Sequence, residues 1–249
     1  MKTVVIVLAL VVIVVPAGFV LADIAFQKTD VRTHTFEGTI RAIVVFSDSG
    51  DVALAPTRRR AVRVRETRHY LFTTPTFERD LHDGVLTLEA TCDVPLVSCQ
   101  NDLRLTVPRR VTVDVETLSG DVDARGVDVR RARLESNSGD IGVELLGPQR
   151  LVRAHSDAGD VHVRTRDART VEAATDSGDV VVAASGRPRR VVAETDSGDV
   201  RIVVPSGDWR VRAETDSGDV RTKRISRNDQ AGRSIEVHTD SGDVNLTGG

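Results

Sequence analysis

The chain has 249 residues, 29% of them charged, yet its formal net charge is only −3. No global excess of positive charge points to nucleic acid. Aromatic residues make up 3%, with one Trp (Trp209) and one Tyr (Tyr70), which is poor material for stacking on bases or sugar rings.

Residues 3–22 carry no charge, a run long enough to cross a hydrocarbon core of ~30 Å as a helix. Pro16 would kink it. Lys2 precedes the run and Asp23 follows it, an arrangement that leaves the rest of the chain outside the cytoplasm. Two readings stay open. The run is an uncleaved single-pass membrane anchor, which its length favours, or a signal peptide cut after Val20-Leu21-Ala22, which releases a secreted protein. Residues 1–26 are therefore set apart from an irregular β region at 27–108 and a regular repeat at 109–249, the last two forming one continuous domain.

Residues 27–38 read as a tether. Residues 40–46 read as a first strand, apolar on both faces and hence covered on both sides. Residues 76–81 and 85–88 flank His82-Asp83-Gly84 as a hairpin. The run Arg58–Arg60, with Arg63, Arg65 and Arg68, reads as an exposed strand face. The only cysteines, Cys92 and Cys99, read as a disulfide closing a short loop in an oxidising compartment. Two thiols without a third ligand are a weak zinc site.

From residue 47 onward a six-residue phrase, Thr-Asp-Ser-Gly-Asp-Val, recurs. Clean copies begin at Thr175, Thr195, Thr215 and Thr239; looser ones begin at Ser47, Thr117, Ser136 and Ser156. The turn glycines are Gly50, Gly120, Gly139, Gly159, Gly178, Gly198, Gly218 and Gly242, and from Gly120 they step by 19, 20, 19, 20, 20 and 24 residues. A fixed period near 20 marks stacked repeats. Between turns the sequence alternates with period two, as in Val191, Ala193 and Thr195 on one face with Glu194 on the other, so the segments are strands. The expected fold is all-β: a solenoid resembling a right-handed parallel β-helix with about 20 residues per coil, behind the N-terminal apolar segment. The alternative is a β-meander or sandwich in which each Asp-Ser-Gly closes a hairpin. Near-identical side chains at equivalent places favour stacking, because a meander makes no such demand.

These serial Ser-Gly-Asp-Val turns between short Val-rich strands, together with the N-terminal apolar run, resemble the adhesin-like families of bacterial cell-surface domains of unknown function. The resemblance spans roughly residues 35–248. It implies an extracytoplasmic β-solenoid with an adhesive or structural role, and it transfers no catalytic residue.

Two sets of side chains could carry binding. The paired aspartates Asp48/Asp51, Asp157/Asp160, Asp176/Asp179, Asp196/Asp199, Asp216/Asp219 and Asp240/Asp243 would stack into an acidic edge. Calcium could screen that edge, or each carboxylate could simply cap its own turn. The opposite corners hold Arg150, Arg166, Arg169, Arg187, Arg189 and Arg190. Such a basic edge could dock on anionic cell-wall polymer, lipid headgroups or another surface protein, or be merely solvated. The histidines His34, His69, His82, His155, His162 and His238 are scattered without metal spacing, and neither a nucleophile elbow nor a phosphate loop is present. The expectation is an adhesive or structural binding module without catalysis, with no cofactor unless calcium; the alternatives are a calcium-stiffened envelope module and a glycan-active β-helix enzyme.

Overall fold

A computed structural model describes residues 28–92 and 99–249 of the chain. The segment 3–22 lies outside the described residues, among which no helix is long and apolar enough to cross a membrane. The described chain is all strand, turn and bend. Its strands build two sheets of eleven strands each.

The regular part is a stack of flattened coils. β8 (Thr112–Thr117) runs into a Ser-Gly-Asp corner and returns as β9 (Val122–Val127) in the opposite sheet. The same step joins β10 (Arg131–Ser138) to β11 (Ile141–Gln149), β12 (Leu151–Ala158) to β13 (Val161–Ala168), β14 (Thr170–Ser177) to β15 (Val180–Ala184), and β16 (Arg190–Ser197) to β17 (Val200–Val204). Equivalent strands pair in parallel and in register, for example Val171 with Val191 and Thr175 with Thr195. Parallel stacking settles the fold as solenoid and excludes the hairpin alternative. The inward columns are those the alternation predicts: Val113, Ala132, Val152, Val171 and Val191 in one sheet, and Val122, Ile141, Val161, Val180 and Val200 in the other, are all buried. They belong to one apolar core that runs from Ile40 to Leu246.

Chain order and stacking order part at both ends. After β18 (Gly207–Ser217), β19 (Val220–Lys223) and the short β20 (Ile225–Arg227), the chain turns back. It inserts β21 (Ser234–Ser241) between β16 and β18, and β22 (Val244–Gly248) between β17 and β19. The long step of 24 residues from Gly218 to Gly242 is the length of this return. The coil of β18 and β19 is thus terminal, and its inward residues Val211, Ala213 and Thr215 are only half-buried while Val220 is exposed. Trp209 is the exception: it is fully buried, donates its indole N–H to the Pro205 carbonyl at 3.0 Å, and carries the Arg233 guanidinium 4.4 Å over its ring. The exposed edge is blunted by Arg212, Glu214, Arg221 and Lys223, charges that discourage strand addition.

At the other end, β2 (Ala42–Ser47) and β3 (Val52–Pro56) form the inner coil, and β6 (Val85–Thr91) and β7 (Cys99–Val107) stack outside it. The end is closed by antiparallel strands: β1 (Lys28–Phe36) and β4 (Val62–Tyr70) beyond β7, and β5 (Thr76–His82) beyond β6. The expected hairpin at His82-Asp83-Gly84 is β5–β6. Three expectations need correction. Residues from 28 onward are strand β1, because their backbone pairs with β4, and not a tether. The first strand is covered on one face only: Ile43 and Val45 are buried, but Val44 is exposed, since no layer lies outside the sheet. Arg68 is not part of an exposed basic face. It is buried with Glu66, whose carboxylate also accepts from Asn101 Nδ2 at 3.0 Å and lies 3.3 Å from His34 Nε2. His34 in turn packs on Phe77, with ring centroids 5.4 Å apart, joining the two closing hairpin layers.

Cys92 and Cys99 form the disulfide, with Cα atoms 6.1 Å apart. The bond spans the corner between β6 and β7, where the Ser-Gly-Asp phrase is missing.

Candidate functional site

The two narrow edges of the slab carry different chemistry. At the Ser-Gly-Asp edge, each residue of the repeated phrase has a distinct task. The valine enters the core. The eight turn glycines of the phrase, Gly50, Gly120, Gly139, Gly159, Gly178, Gly198, Gly218 and Gly242, have φ between +122° and +153°, a region that disfavours residues with a Cβ. Space forbids one as well, since a methyl group on Gly178 would sit 2.4 Å from the Gly159 carbonyl oxygen of the neighbouring coil. From the Ser136 copy onward the threonine or serine at the head of the phrase donates its hydroxyl to that same carbonyl column: Ser156 to Gly139 at 2.8 Å, Thr175 to Gly159 at 2.8 Å and Thr195 to Gly178 at 3.0 Å.

The second aspartate forms a ladder. Oδ1 of Asp160 accepts the backbone N–H of Asp179, Asp179 that of Asp199, Asp199 that of Asp243, and Asp243 that of Asp219, at 2.8–2.9 Å. Toward the other end it continues through Asp140, Asp121 and Asp51 to Asp102 at 2.8–3.1 Å. Asp102, Asp121 and Asp140 are outside the expected acidic set, whereas Asp51 belongs to it. Asp102 follows Asn101, which takes the glycine place in a coil whose sequence does not show the phrase. The partner of each carboxylate is the next coil and not its own turn, which corrects the turn-capping reading. The first aspartates, Asp157, Asp176, Asp196, Asp216 and Asp240, are exposed; Asp157 and Asp240 pair with His155 and His238 at 3.1 Å. Among the described residues no set of three or more His, Cys, Asp or Glu is arranged to hold a metal ion. Of the pairs from Asp157/Asp160 to Asp240/Asp243, the second members join the hydrogen-bonded ladder and the first form an exposed column.

The opposite edge is basic, as its sequence suggests, but its membership differs. The residues just before the strands of one sheet come into register as Arg130, Arg150, Arg169, Arg189 and Arg233 on five successive coils. The backbone confirms the stacking: the N–H of Arg150 donates to the Arg130 carbonyl, and that of Arg189 to the Arg169 carbonyl, at 2.9 and 2.8 Å. Arg130 and Arg233 are additions, legible only once the register is known. Arg166 and Arg187 are exposed on the same edge beside the column. Arg190 does not belong to it: as the first residue of β16 it reaches along the sheet face to Glu236 at 2.6 Å. Four residues of the column, Arg130, Arg150, Arg169 and Arg189, are exposed and have no side-chain hydrogen bond or ion pair among the described residues. Aspartates at this edge include Asp128, held by Arg109 at 2.7 Å, the exposed Asp167 and, beside Arg233, the exposed Asp208 and Asp229. Neighbouring guanidinium groups about one strand spacing apart repel by somewhat under ~1 kcal/mol per pair in water.

The flat faces contrast with this edge. Arg133 pairs with Glu135, Arg153 with Glu172, Arg190 with Glu236 and Arg212 with Glu214, all at 2.6–3.0 Å. The hydrogen bond that Arg133 donates to Glu135, with the charge of that carboxylate, holds the Arg133 guanidinium above its ordinary pKa, and Glu214 does the same for Arg212. On the other sheet Arg164 and Arg201 have no ion pair, but their ladder neighbours are Glu144, Ala183, Val181 and Asn245, so no second column forms. An open recess of about 380 Å3 on that face, between Asp123, Gly142 and His162, is lined by charges of both signs.

The chain was compared with known proteins. A candidate cell adhesion protein from Clostridium sporogenes is 13% identical over 89% of this chain and 100% of its own, with a TM-score of 0.40. A candidate adhesin from Bacteroides fragilis is 10% identical over 88% and 97%, with a TM-score of 0.47. One from Parabacteroides distasonis is 9% identical over 87% and 97%, with a TM-score of 0.38. No curated protein matches the chain. The family model described as Toastrack DUF4097 matches residues 24–247, nearly the whole described chain, and the protein belongs to that family.

Proposed function

We propose that this protein is an adhesin-like binding module displayed outside the cytoplasm, and that it acts by contact and not by catalysis. The observation that carries this reading is the distribution of its polar groups. The Thr hydroxyl, the Gly carbonyl and the second Asp of the repeat are consumed in joining coil to coil, and the remaining charges form periodic arrays along flat faces and edges. Catalysis needs the opposite arrangement, a few unlike groups converging on one reacting atom. The Cys92–Cys99 disulfide supports an oxidising compartment, in keeping with the apolar segment 3–22. Fold resemblance adds nothing about activity.

Protease shaving of intact cells expressing the full chain tests the location. Digestion of the strand region on intact cells, with a cytoplasmic marker spared, is the expected result; protection until lysis would overturn it. Incubation with acidic and neutral polysaccharides is expected to yield no new reducing ends. Release of oligosaccharides above a heat-denatured control would overturn the non-catalytic part.

A further inference from the structure

We infer that the arginine edge is a binding site for a linear polyanion, one whose phosphate or carboxylate groups recur along the chain and lie down across successive coils. The inference rests on the contact-module reading and gives it a ligand class.

Three observations carry it. The first is register. Arg130, Arg150, Arg169 and Arg189 occupy one position on four successive coils, and Arg233 occupies it on the fifth. Adjacent strands lie about 4.8 Å apart, so the column extends roughly 19 Å along the solenoid axis. The second is the missing counter-charge. The four leading guanidinium groups are exposed and have no acidic partner among the described residues, whereas Arg133, Arg153, Arg190 and Arg212 on the adjacent sheet face each hold a glutamate within 3.0 Å. Like charges set in a row favour whatever anion relieves their repulsion, and guanidinium offers phosphate or carboxylate a two-pronged donor set. The third is rigidity. The corner backbones are tied coil to coil by N–H to carbonyl bonds of 2.8–2.9 Å, so little ordering entropy opposes binding at the backbone. Arg233, fixed over the Trp209 ring and bonded to the Asp208 carbonyl at 3.1 Å, closes one end of the row.

A point anion would engage one or two of these arginines; only an extended chain can engage them all. The chemistry is shared by polyphosphodiesters and polyuronates, and the experiment separates them. The purified full chain, held in nanodiscs of phosphatidylcholine, is titrated with long-chain polyphosphate, polygalacturonate, trigalacturonate and neutral dextran at several salt concentrations. Expected is binding of at least one long polyanion, no binding of dextran, much weaker binding of the trimer, and a log affinity that falls with log salt at a slope of about three to four charges. The triple variant Arg150→Gln/Arg169→Gln/Arg189→Gln should lose at least about tenfold in affinity and most of that slope, while its melting temperature stays within a few degrees. The face variant Arg133→Gln/Arg153→Gln should bind as the parent does. Preference between the two polyanions identifies the phosphate or the carboxylate class. The inference is overturned if the triple variant binds like the parent, if the trimer binds as tightly as the polymer, or if only vesicles containing anionic lipid bind. Loss of polymer binding with shaving still positive would leave the contact-module reading standing.

Discussion

The backbone N–H of Asp199 donates to Oδ1 of Asp179 on the neighbouring coil at 2.8 Å. The relationship repeats from Asp102 to Asp219, so one carboxylate per coil serves as the seat for the next. It explains why the repeated phrase ends in Gly-Asp-Val: Gly permits the close approach, Asp bonds across it, and Val enters the core behind it.

Removing one rung should therefore cost measurable stability. Asp179→Ala is expected to destabilise the fold by about 1 kcal/mol, the typical net value of one hydrogen bond. Asp179→Asn keeps an acceptor oxygen and should cost less. Urea melts of the two variants check the order; an alanine variant as stable as the parent would mean that the ladder is incidental.

Gly178→Ala should be far worse. Its methyl group would lie 2.4 Å from the Gly159 carbonyl oxygen, at a φ of +142°. Backbone strain of about 1–3 kcal/mol adds to the overlap. The expected outcome is a loss of about 3 kcal/mol or more in chemical denaturation, or failure to express in folded form. Gly232 is the control, because a methyl group there meets nothing within 4 Å.

Calcium should not shift the unfolding temperature. The ladder carboxylates already accept backbone N–H groups, and among the described residues no acidic group forms a metal cage. Thermal unfolding of the full chain in calcium and in EDTA is expected to superimpose; an upward shift of several degrees in calcium would show that the exposed aspartates Asp157, Asp176, Asp196, Asp240 and Asp216 do bind the ion.

The terminal coil should open first. Trp209 is the only tryptophan and lies in that coil, where Val211 and Ala213 are half-buried. Stability in stacked repeats is a sum of local and neighbour terms, and this coil has a neighbour on one side only over most of its length. Tryptophan fluorescence during urea titration is expected to change before far-ultraviolet circular dichroism. Coincident transitions would show that the whole stack unfolds as one unit.

Reduction of Cys92–Cys99 should cost up to about 2.5 kcal/mol by the loop-entropy estimate for a loop this short. Denaturant unfolding with and without reductant measures it, and the alkylated protein should stay folded, because the antiparallel strands β4 and β7 hold the same end of the stack.

The sequence by itself determined the strands, the period and the burial pattern. A period-two alternation has only one way to place Val171, Ala173 and Thr175 on one face, and identical phrases every 20 residues specify identical corners. It also marked both charged edges, because corner residues have no core to enter. What it could not convey was which contacts form between coils. Whether Asp179 bonds its own turn or the next coil depends on a 4.8 Å stacking distance that no local pattern encodes. The insertion of β21 and β22 inside the terminal coil is equally invisible, since the clean copies at Thr215 and Thr239 read alike and only stacking decides which lies outermost. The arginine column shows the same division. Arg150, Arg169 and Arg189 are legible as basic corners, but Arg233 joins them, and Arg190 leaves them, only when tertiary pairing sets the register.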